Sequence, residues 1–130
     1  MPSVNEQPVK ADREVFFGLL RLALGDGREI ESERWEISPR LACALMELGG
    51  SHDLAHLTAA AIQKIAPELS GQVEQAIYTA VYRDGQREYA LGELESILDR
   101  AGIDYIPLKG AVIRELYPES WMRTSCDIDI

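Results

Sequence analysis

The sequence predicts an α+β fold: a helical region over residues 11–102, then the first strand–helix–strand of a second unit over 103–130, truncated within its second strand. Three observations predict it. Apolar residues recur at helical spacing through most of the first hundred positions. After Gly102 the texture changes to short apolar runs broken by Pro107, Gly110 and Pro118. The last four residues, Asp127-Ile128-Asp129-Ile130, alternate strictly, as a half-buried strand does.

Residues 1–10 are polar, contain Pro2 and Pro8, and read as a disordered lead-in. From Ala11 to Leu24 the set Val15, Phe16, Leu19, Leu20, Ala23 and Leu24 marks a helix, stopped by Gly25-Asp26-Gly27. A loop carrying Trp35 follows. Ser38-Pro39 is a start signal, a capping hydroxyl before a proline at the first helical position. The helix it opens, Arg40 to Leu48, ends at Gly49-Gly50. Ser51 is the expected cap of the next helix, with Leu54, Leu57, Ala61, Ile62 and Ile65 on one side and Pro67 closing it. A long helical pattern starts at Ser70. Asp84-Gly85 divides its apolar stripes, which allows one kinked helix or two. Gly102 is its stop. Asp104–Leu108 is read as a strand, although Pro107 removes a ladder donor. Lys109-Gly110 is a turn, Ala111–Tyr117 a short helix, and Asp127–Ile130 the closing strand.

Composition excludes several classes. A chain of 130 residues with 46% hydrophobic residues can bury a core. The net charge of −9 argues against general nucleic-acid binding but leaves local capture of a metal–nucleotide open. Cys43 and Cys126 have no zinc-ligand spacing and read as reduced thiols. The N-terminus lacks a basic segment followed by an apolar one, and the run Val15–Leu24 falls short of the roughly 20 apolar residues of a membrane span. A cytoplasmic location without a membrane partner is the expectation.

The chemistry is expected at the C-terminal end. In a strand, residues two apart share a face, so Asp127 and Asp129 would present two carboxylates side by side. Their repulsion is removed by a divalent cation, and Mg²⁺ prefers carboxylate oxygens while keeping sites for phosphate. A bare DxD is a weak signal, and its bland alternative is the polar face of an amphipathic strand. What strengthens it is the preceding glycine turn, with Lys109 beside Gly110 able to reach a phosphate as a point charge.

The run Ile106-Pro107-Leu108-Lys109-Gly110, then Leu116-Tyr117-Pro118, Arg123 and Asp127-Ile128-Asp129-Ile130 resembles a family of uncharacterised bacterial nucleotidyltransferases of the polymerase-β-like superfamily. The resemblance implies that Asp127 and Asp129 ligate Mg²⁺, that Gly110 lets the backbone approach a triphosphate, and that Lys109 and Arg123 contact phosphate or brace the site. Many members of the superfamily have Gly-Ser where this chain has Lys109-Gly110. The superfamily's third carboxylate is expected beyond Ile130. The resemblance thus implies a nucleotidyltransferase that moves a nucleoside monophosphate from an NTP to an unnamed acceptor, inactive as the chain stands. The alternative is a non-catalytic helical interaction module that retains a remnant of the transferase fold, with self-association through helices.

His52 and His56 stand four apart on an expected helix, but Asp53 replaces the glutamate of a zincin motif and no further ligand follows. Solvated or capping histidines are the simpler account. The acidic stretch Glu29–Glu36 reads as solvated, and the tyrosines are not interleaved with basic residues as a nucleic-acid platform requires.

Overall fold

The computed structural model describes residues 11–25, 35–124 and 128–130. The expected lead-in, the tip of the loop before Trp35, Cys126 and Asp127 lie outside the described residues. The chain divides into two compact units, residues 1–74 and 75–130. The boundary falls inside the longest helix.

In the first unit, α1 spans Arg13–Leu24. Asp12 starts it by accepting the Glu14 amide at 2.8 Å, which satisfies an N–H that the helix leaves without a partner. Gly25 ends it at φ 63°, a left-handed turn that a residue without a Cβ enters freely. α2 spans Pro39–Ser51, with Ser38 Oγ accepting the Leu41 amide at 3.1 Å and Pro39 at the start. Gly49 and Gly50 lie inside this helix, which runs three residues past the expected end at Leu48. The Ser51 hydroxyl donates back to the Leu48 carbonyl at 2.8 Å and so does not cap the next helix. α3, Ala55–Ile65, begins at Leu54 with no side-chain cap.

α3 is buried almost all round, from His56 to Ile62, because it packs against both α1 and α2. Gly49 makes one contact possible. A Cβ there would lie 2.5 Å from Thr58 Oγ1, and Thr58 is fully buried with its hydroxyl donated to the Leu54 carbonyl. Gly18 serves the same purpose under the Trp35 ring, which a Cβ would strike. The largest fully buried side chains are Leu19, Leu45, Ile62, Val73 and Thr58, all in this unit. A 3-10 turn, Pro67–Leu69, leads to the next helix.

α4 is one helix, Ser70–Ala101, and Asp84-Gly85 does not break it. One glycine costs only about 1 kcal/mol in a helix interior, less than the hydrogen bonds of the continuous helix supply. Gly102 stops it at φ 67°.

The expected α+β class is not what the second unit shows. The protein is mostly helical, and among the described residues there is no strand. Asp104–Leu108 and the C-terminal residues meet at a single antiparallel bridge, Leu108 to Asp129, where the Leu108 amide donates to the Asp129 carbonyl at 2.9 Å. The physical reason is local. Pro107 has no N–H to extend the ladder, and the chain turns at Lys109-Gly110 directly after the paired residue. The expected helix is shorter too. α5 spans Gly110–Ile113 and passes into a 3-10 turn, Arg114–Leu116, ended by extended Tyr117 before Pro118. A second 3-10 turn, Ser120–Met122, precedes Arg123. Among the described residues no helix is long and apolar enough to cross a membrane.

Candidate functional site

The turn at Lys109 carries a positive-φ residue that is not glycine. Lys109 sits at φ 50°, ψ −121°, outside the regions a residue with a Cβ prefers. Such a conformation costs roughly 1–3 kcal/mol and persists only where its surroundings impose it. Gly110 behind it is buried. The turn is held by the Val112 and Ile113 amides, which donate to the Lys109 carbonyl at 3.0 and 2.8 Å.

This turn brings Lys109 to Asp129. Its Nζ lies 3.4 Å from Asp129 Oδ2, with the lysine side chain 73% exposed and the aspartate 40% exposed. An ion pair this open contributes at most about 1 kcal/mol and is readily exchanged for another cation. Asp129 therefore stands beside the glycine turn. Asp127 lies outside the described residues, so the expected pair of carboxylates is described at Asp129 alone. No cluster of three or more His, Cys, Asp or Glu suited to a metal is present among the described residues, a set without Asp127.

Arg123 follows the last 3-10 turn, its amide donating to the Ser120 carbonyl at 3.4 Å. Its Nε is buried and has no hydrogen-bond partner among the described residues. A buried donor in this state costs about 1–3 kcal/mol and calls for an acceptor. Beside the Leu108–Asp129 bridge lies an open groove of about 530 Å³, lined by Leu98, Ile103, Tyr105, Ile106, Leu108 and Ile130 among others. Loss of water around the Tyr105 phenol, then the Asp99 and Glu95 carboxylates and a hydrogen bond to Asp99, raise its pKa above the ordinary 10.0.

One residue that bears on the site escaped the sequence reading. Asp84 is buried in the middle of α4. Its Oδ1 accepts from Arg114 Nη1 at 3.2 Å and its Oδ2 from Ser120 Oγ at 2.6 Å. The signal was present in the spacing. Ile77, Ala80, Asp84, Leu91 and Leu98 fall on one helix face, so Asp84 is a charge inside an apolar stripe. The histidines, by contrast, do not share a helix. His52 lies past the end of α2, and His56 is buried in α3 and engages a partner there.

The model of a protein family described as uncharacterised nucleotidyltransferase matches residues 33–130. The chain belongs to this nucleotidyltransferase family. The match takes in α2 to α5 as well as the C-terminal motif, so the helical region from residue 33 is part of the family's domain. The resemblance carried by residues 103–130 is therefore the visible end of a longer one. Neither the curated proteins nor the solved structures compared with this nucleotidyltransferase chain gave a match.

Proposed function

We propose that the chain binds an NTP with Mg²⁺ at the Lys109–Asp129 turn and takes part in transfer of the nucleoside monophosphate to an acceptor. The observation that carries this reading is the meeting of Lys109, next to buried Gly110, with Asp129 through an open ion pair. Membership of a nucleotidyltransferase family supports it.

The residues present fit a magnesium ion. Asp129 offers hard carboxylate oxygen at a half-exposed position, and a cationic group already neutralises it there. Asp127 and Asp129 would hold the ion, which when bound offsets charge developing on the phosphates. Lys109, held only by an open ion pair, would turn its ammonium from Asp129 to a phosphate oxygen. Buried Gly110 leaves the backbone free of a side chain where the phosphates approach. Arg123 would supply its buried Nε–H, which lacks an acceptor among the described residues, to a phosphate oxygen.

Calorimetric titration with MgATP tests the reading. Heat of binding is expected for the wild-type chain and its loss in Asp127→Asn/Asp129→Asn. Equal behaviour of the two proteins removes the metal–nucleotide site.

A second reading, a helical interaction module that associates with itself, rests on one observation. Tyr78, Tyr82 and Tyr89 are exposed and lie on one side of α4, four and seven residues apart. Sedimentation velocity decides it. Self-association abolished by Tyr82→Glu/Tyr89→Glu supports the module, and a monomer at all concentrations sinks it.

A further inference from the structure

We infer that Asp84 is a positioning residue for the candidate nucleotide site, acting through Arg114 and Ser120 on the loop that carries Arg123 and Asp129. The inference deepens the nucleotide-binding reading and rests on it. The chain from Leu108 to Arg123 is joined to Asp129 by one described backbone hydrogen bond, at Leu108, and by the Lys109–Asp129 ion pair, which is open and weak. Its middle needs another anchor. Apolar burial supplies little of it, because Ile113 and Leu116 are exposed and Met122 is the buried hydrophobic residue among those described there.

Asp84 supplies the anchor from α4. The Arg114 and Asp84 side chains are only 11% and 9% exposed, so their attraction is screened far less than that of the surface pair. The two oxygens of one carboxylate reach two successive 3-10 turns, one on each side of Tyr117-Pro118. That geometry fixes both the distance and the rotation of the 114–120 segment relative to the helix. Arg123 lies three residues after Ser120, and its amide is bonded to the Ser120 carbonyl, so displacement of Ser120 displaces Arg123 directly. A carboxylate that served α4 alone would not need partners thirty and thirty-six residues further along the chain.

Residue-resolved hydrogen exchange of the Leu108 amide, combined with MgATP titration, tests the inference in the whole chain. Asp84→Asn is expected to speed exchange at Leu108 about tenfold or more, and Ser120→Ala, which keeps the ion pair, about threefold or more. Amides in α3 and the middle of α4 should keep their wild-type rates. MgATP affinity should fall in the same order, while Asp84→Glu recovers part of it. The inference is overturned if Leu108 exchange in Ser120→Ala stays at the wild-type rate, or rises only in step with the amides of α4. Should Asp84→Asn not fold, Ser120→Ala decides by itself. A wild-type chain that binds no MgATP defeats the nucleotide reading, and with it the role assigned to Asp84. A chain that binds equally well with and without the Ser120 hydroxyl defeats only the positioning role.

Discussion

Lys109 combines a strained backbone with a loosely held charge, and the two features separate under mutation. Lys109→Met removes an ion pair of high exposure, so stability to denaturant should change by less than about 1 kcal/mol. If Lys109 meets phosphate, its charge-assisted bond is worth about 1.5–3 kcal/mol, and MgATP affinity should drop about tenfold or more. A titration calorimeter and a urea melt on the same variant check both halves. Glycines give a second contrast at this scale. Gly18 lies beneath the Trp35 ring, so Gly18→Ala forces the ring to move and should cost about 1–3 kcal/mol. Gly85 and Gly92, inside α4, have open space where a Cβ would go. Alanine at either should stabilise by about 0.5–1 kcal/mol through helix propensity. Denaturant midpoints measured in parallel distinguish the two signs.

Among the elements, the helices were legible because their signals are local. Ser38-Pro39, Gly25 and Gly102 each act on a backbone within a few residues, and each does in the structure what its position in the sequence suggests. The strands were misread because a strand depends on a partner that sequence spacing does not specify. The apolar run at 104–108 and the alternation at 127–130 were sound patterns, yet among the described residues only Leu108 and Asp129 pair. Asp84 was misread for a related reason. Taken with Gly85 it looks like a helix breaker, whereas its importance comes from Arg114 and Ser120 far along the chain. The Tyr105 segment after α4 carries a pH prediction. Its phenol titrates above 10.0, so folding favours the protonated form. The associated stability is fully present below pH 10.0, the unfolded value, and is lost as pH rises through the higher folded value. Melting temperature should therefore fall more steeply above that pH in the wild type than in Tyr105→Phe, which has no phenolic proton.

Over the whole molecule, burial is uneven. The first unit holds Leu19, Leu45, Ile62 and Val73 fully buried, whereas in the second the buried side chains among those described are Asp84 and Met122. Local stability follows buried apolar contact, so native-state hydrogen exchange should find the amides of α3 the slowest and those of 104–123 the fastest of the ordered segments. Ile62→Ala should cost about 2–5 kcal/mol in a denaturant melt of the first unit. The candidate site thus lies on the less stable part of the chain, where binding energy can order it. The two tryptophans happen to be divided between these regions. Trp35 covers Gly18 in the first unit, and Trp121 lies in the 3-10 turn next to Met122 in the second. Replacing either one with phenylalanine leaves a single indole fluorophore, so the emission of each variant reports the unfolding of one region without an added label.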